Sequence, residues 1–133
     1  MPTLQTPSKA FNIGLWFTQA LLALFFIYSG GFKLITPIVK IAAMWPWAGD
    51  YPNLLRFTGV VDLLGGIGLI LPALTRIKPG LTVLAALGCA LLMIGAIIFH
   101  LSRGEGASTP FNFVILALAL FVYWGRRTKA PIV

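Results

Sequence analysis

The chain has 133 residues, 59% of them hydrophobic and only 10% charged, with a formal net charge of +7. A soluble domain averages about 45–50% apolar and about 25% charged residues, so lipid rather than water is the expected solvent. The length allows one domain spanning 1–133. The cations cluster at the ends of apolar runs, the distribution of a membrane topology signal, and this excludes a nucleic-acid partner.

The first apolar run, about 13–34, exceeds the roughly 7–15 residues of a signal-peptide core and reads as a membrane span. Within it, FFIYSGGFKLITP places Lys33 just after Gly30 and Gly31, before the chain turns. A longer link follows. Pro46 and Pro52 limit it to short helical pieces, and Trp45, Trp47 and Tyr51 suit the headgroup level. The second span, about 54–74, is closed by Pro72 and then Arg76 and Lys78. The third, about 81–101, opens at Pro79 and Gly80. The fourth, about 110–124, opens at Pro110 and stops at GRRTK. Proline is well tolerated in a first helical turn.

The expected fold is an all-α integral membrane protein, an antiparallel four-helix transmembrane bundle. Short connections make successive spans antiparallel neighbours. Lys9, Arg76, Lys78, Arg126, Arg127 and Lys129 fall on one side with no acid among them, whereas Lys40, Asp50, Arg103 and Glu105 fall on the other. The positive-inside rule then puts both termini in the cytoplasm.

Alternation of spans converts chain position into depth. Lys33, Arg56, His100, Thr109 and Asn112 all reach the outer end, and Asp62 lies roughly 12 Å into the second span at 1.5 Å per residue. An Asp near mid-helix costs about 2.5–3.5 kcal/mol on insertion scales, so it should face the bundle interior and find a partner. Lys33 is the leading partner, with Arg56 and His100 the others. Tyr28 and Ser29, one turn below Lys33, are candidate lining residues. The pair fits two roles: a scaffold fixing helix register, or a ligand or proton site.

Small residues let helices approach in lipid, which offers no hydrophobic drive for their association. Gly59 and Gly66 share a face with Asp62, and Gly65 and Gly68 add a second close-approach surface. Gly30 and Gly31 serve the first span, and Gly88 and Gly95 flank a Cys89–Met93–Ala96–His100 stripe in the third. Cys89 is the sole cysteine, so no intrachain disulfide chemistry exists. One histidine, with no carboxylate–histidine spacing, gives no metal or haem site. No phosphate loop or nucleophile triad occurs, and no electron-carrying cofactor motif is evident. Nothing therefore marks the chain as an enzyme on its own.

Three ordered stretches, YSGGFKL, AAMWPWAGDYPNLLRFTGVVDLLGGIGLILP and ALLMIGAIIFHLSRGE, resemble the DoxX family and its DoxX-like group. The family pattern places G-x-x-K-L at Gly30–Leu34, G-x-x-[ED] at Gly59–Asp62, with Asp where Glu is common, and a histidine at His100. The resemblance implies a four-helix protein of the bacterial inner membrane. The family takes its name from a subunit of a thiosulfate:quinone oxidoreductase. Other relatives are linked to membrane redox and oxidative-stress complexes, and a distant animal relative is a receptor-assembly chaperone.

Three functional expectations follow. The first is an accessory or ligand-binding subunit of a membrane redox system, with a quinone as the ligand to look for near Lys33, Asp62 and His100. The second is a non-enzymatic assembly protein whose small-residue faces bind partner helices. The third is a small transporter acting as an oligomer, against which the absence of paired broken spans weighs. The expected partners are the lipid bilayer, membrane redox or other membrane proteins, and further copies of the chain.

Overall fold

A computed structural model describes residues 9–78, 80–106 and 109–129. The described residues are helical wherever they are regular, with no strand among them. Helix α1 runs Lys9–Ile35, α2 Ile38–Met44, α3 Pro46–Asp50, α4 Pro52–Thr75, α5 Gly80–Ser102 and α6 Pro110–Trp124. A π turn, Gly125–Lys129, continues α6 without a break. Three helices, α1, α4 and α5, are long and apolar enough to cross a membrane. At 15 residues, α6 alone is shorter than the roughly 20 a crossing needs.

The helices begin and end close to the apolar runs. Helix α1 starts four residues earlier than expected, at Lys9 rather than Ile13. Pro46, Pro52 and Pro110 each occupy a first helical turn. Pro79, the expected start of the third span, lies outside the described residues.

Pro72 does not close α4; the helix runs on to Thr75 and caps with Arg76 in a left-handed conformation. The helix survives because the group a proline orphans is satisfied from outside. Proline lacks the N–H that would reach the carbonyl four residues back. That carbonyl, Gly68 O, accepts instead from Thr82 Oγ1 on α5 at 3.2 Å. In lipid, a backbone acceptor left open would cost several kcal/mol.

Helix α1 packs along α4, α4 along α5, α5 along α6, and α6 more lightly on α1. The contacts run in opposite directions along each adjoining pair. Gly30 meets Gly59 while Gly66 meets Ala23, and Phe25 meets Phe111 while Gly125 meets Leu15. One end of the molecule therefore carries the α1–α4 link and the α5–α6 loop (the linker end). The opposite, terminal end carries the start of α1 and the close of α6. A shared core of Leu22, Phe26, Leu69, Ala90, Ile115 and Ala119 fills the centre. A smaller cluster of Ile41, Ala48 and Leu55 seats α2 and α3 on the linker end.

Glycine makes the α1–α4 seam possible. A methyl group at Gly30 would stand 2.6 Å from Gly59 O, and one at Gly66 would stand 3.0 Å from Ala23 O. Both obstacles are backbone and cannot swing aside. Gly65 closes instead on Cys89 Sγ, and Gly68 on Ala85. Gly31, Gly88 and Gly95 differ from expectation: nothing stands within 4 Å of where their side chains would be. They share the small-residue composition of a contact face, but the rotation of α1 and α5 turns them away from the described residues around them.

Candidate functional site

The polar side chains gather in three places rather than one. The first lies between α1 and α4, toward the linker end. Asp62 stands on the α4 face that also carries Gly59 and Gly66, and Ser29 and Lys33 stand one turn apart on α1. The glycine seam brings these two backbones close enough for short side chains to meet. Lys33 Nζ is 3.0 Å from Asp62 Oδ2, and Ser29 Oγ donates to the same oxygen at 3.0 Å. Lys33 Nζ also reaches Thr58 Oγ1 at 3.4 Å, and that hydroxyl donates in turn to Leu55 O. The Asp62 side chain is 3% exposed and that of Lys33 15%.

Arg56 takes a different role from a partner of Asp62. Its Nη1 donates to Lys33 O, one of the last-turn carbonyls that α1 leaves without a helical donor. A guanidinium there also opposes the negative end of the helix dipole. Arg56 thus fixes the backbone that carries Lys33. Tyr28 is 75% exposed and stacks on Phe32 with ring centroids 6.4 Å apart, outside the Asp62 node. Phe32 also meets Trp45 edge-on at 5.8 Å. An aromatic row, Tyr28 and Phe32 on α1 with Trp45 from the link, therefore runs beside the Ser29–Lys33 row.

The second group corrects the expectation for His100. It reaches the linker end as its depth requires, yet no hydrogen bond or ion pair joins it to Lys33 or Asp62. His100 Nδ1 lies 3.2 Å from Glu105 Oε1, and Trp47 and Phe99 pack edge-on against its ring. Arg103 completes the group, donating to Glu105 at 3.1 Å and to Asp50 at 3.2 Å while lying over the Tyr51 and Phe99 rings. The hydrogen bond to Asp50 raises the Arg103 pKa, with Glu105 adding to it. This group ties the link to the α5–α6 loop. Asn112 is half-buried in the first turn of α6 and joins neither group. Thr109 is buried and donates to Gly106 O at 2.7 Å, closing the loop.

The third group was not expected. Arg126, read from the sequence as a cytoplasmic topology charge, is 3% exposed. Its Nε donates to Gln19 Oε1 at 2.5 Å, its Nη1 donates to Asn12 Oδ1 at 2.6 Å, and its guanidinium lies 5.2 Å from the Trp16 ring centre. Gln19 Nε2 then donates to Leu69 O at 2.8 Å, so the node links α6, α1 and α4. The π turn shapes this inward turn of Arg126. A signal existed: Asn12, Trp16 and Gln19 are spaced by four and three residues, one face of a helix, and a glutamine within an apolar run needs a partner.

Among the described residues no group of His, Cys, Asp or Glu could hold a metal ion. Residues 17–122 match the model of the DoxX-like family. The chain belongs to the DoxX-like family. The match spans α1 from its third turn, α4, α5 and nearly all of α6, and it contains the whole Lys33–Asp62 node. Neither curated proteins nor solved structures gave a match to the chain. This DoxX-like chain is therefore a multi-pass membrane protein whose apolar helices surround a buried ion pair.

Proposed function

We propose that this DoxX-like protein is a four-span protein of the bacterial inner membrane, with both termini cytoplasmic, and serves as a non-catalytic, ligand-binding subunit of a quinone-linked redox system. The fourth span is α6 with its π turn; together they give about 20 helical residues, near the length of a crossing. The excess of cations at the terminal end supports the orientation.

The observation that carries the functional reading is the Lys33–Asp62 pair beside the aromatic row. Lys33 offers three donors; Asp62 and Thr58 engage two, and the ammonium keeps some exposure. A flat ring bearing carbonyl acceptors matches that arrangement. The ring lies along Tyr28, Phe32 and Trp45, and a carbonyl accepts from Lys33. Asp62 and Ser29 hold the ammonium in place. The electrons come from a partner protein, because this chain has no motif for an electron carrier.

Native mass spectrometry of the gently solubilised chain, loaded with a short-chain benzoquinone, tests this. The wild type should retain one quinone and Asp62→Asn should lose it. Two folded proteins without an adduct would overturn the reading. A non-enzymatic assembly role is the second reading. Gly88 and Gly95 favour it, because they stand seven residues apart on an exposed face of α5 with nothing within 4 Å. Close approach of a partner helix needs such positions.

A further inference from the structure

The two ends of the molecule carry opposite electrostatics. The chain has three acidic residues, Asp50, Asp62 and Glu105, and all three belong to the linker-end groups. No side-chain carboxylate stands at the terminal end. Among the described residues, Lys9, Arg76, Lys78 and Arg127 are exposed there. Arg126 is withdrawn into its node with Gln19 and Asn12, which separates one structural arginine from the exposed set.

The backbone that carries two of these cations is unusual. Arg76 and Lys78 both adopt left-handed backbone conformations, with φ of 58° and 49°. Non-glycine residues seldom do so, and glycine is the usual residue in the left-handed position after a helix. Ile77 between them is 68% exposed. The turn thus presents cation, apolar side chain, cation at the membrane surface. Arg127 is pinned outward, donating to Tyr123 Oη at 2.6 Å with its guanidinium 5.6 Å from that ring. The π turn carrying Arg127 packs on α5, the helix that follows the Arg76–Lys78 turn.

We infer that the terminal end is a docking surface for anionic phospholipid, in which Arg76, Lys78 and Arg127 engage the phosphate headgroup and Ile77 enters the acyl boundary. The charge complementarity favours an anionic partner, because no side-chain carboxylate stands among the described residues there. The position of these residues at the ends of membrane-crossing helices places them where lipid headgroups lie. Basic residues near an anionic leaflet each add to the attraction, within a Debye length.

The test uses the full chain in nanodiscs mixing phosphatidylglycerol with phosphatidylcholine, with retained lipid counted by native mass spectrometry. Wild type should retain phosphatidylglycerol preferentially. The preference should fall roughly fivefold for each cation removed, so that Arg76→Gln with Lys78→Gln and Arg127→Gln abolishes it. Lys40→Gln, at the linker end, should leave it unchanged. Raising the salt concentration on wild type should weaken the preference without any substitution, which keeps the test decisive if the triple variant misfolds. Equal retention of both lipids by wild type overturns the inference, as does a preference that survives the triple variant. Retention of inorganic phosphate in place of lipid overturns it as well.

Discussion

The Lys33–Asp62 node and the Arg126 node stabilise buried cations by different means. At the first, an ammonium meets a carboxylate, and a serine hydroxyl also serves that carboxylate. At the second, a guanidinium is held by two neutral amide oxygens and an indole face. The difference follows depth. Asp62 lies well inside α4, where one charge requires an opposite one. Arg126 lies at the close of α6, where two amide oxygens and a long apolar stem help to hold it. Removing a partner should therefore hurt most where charge compensates charge.

Lys33→Met leaves Asp62 buried beside Ser29 alone and should cost about 3–5 kcal/mol in reversible unfolding from mixed micelles. Lys33→Met with Asp62→Leu should recover most of that loss. A double variant as unstable as the single one would show that the compensation of charge is not what matters there. Gln19→Leu should cost about 1.5–3 kcal/mol by the same measurement, the range for a hydrogen bond to a charged group. A larger loss than that from Lys33→Met would reverse the ranking of the two nodes. Gly30→Ala tests the seam that lets the first node form. With Gly59 O 2.6 Å from the new methyl, it should cost about 1–3 kcal/mol and weaken the Lys33–Asp62 contact, readable as greater labelling of Lys33 by amine reagents. The smallest effect is expected for Gly88→Ala, on an open face, within about 0.5 kcal/mol. A large loss there in the membrane, but not in dilute detergent, would point to a partner helix on α5.

Much of the helix layout is legible in the sequence, because apolar length and proline position act locally. Pro46, Pro52 and Pro110 stand where helices begin. The Lys33–Asp62 contact is legible too, since glycine spacing places Gly59, Asp62 and Gly66 on one face and Gly30 opposite. The partners of His100 are not legible, for a geometric reason. Chain position gives depth along a span, but not rotation around the bundle, and His100 shares the end of Lys33 while facing Trp47 and Glu105. Arg126 stands at the terminal end as expected, but its burial is not legible, because a cation after an apolar run looks the same whether it faces outward or turns back. Only Gln19, unmatched in its run, hinted at the answer. Proline breaks a helix locally, so Pro72 looks like a stop in the sequence; the Thr82 hydroxyl that serves Gly68 O comes from another helix.

The π turn at Gly125–Lys129 has a bearing on how this chain tolerates change in length. A π turn holds one residue more than the α-helical turn it replaces. Deleting Arg126 there puts Arg127 next after Gly125, in the place Arg126 now fills. The tandem arginines therefore act as a spare tooth on a ratchet: a one-residue slip still delivers a guanidinium to Gln19 and Asn12, and the close of α6 stays fastened to α1.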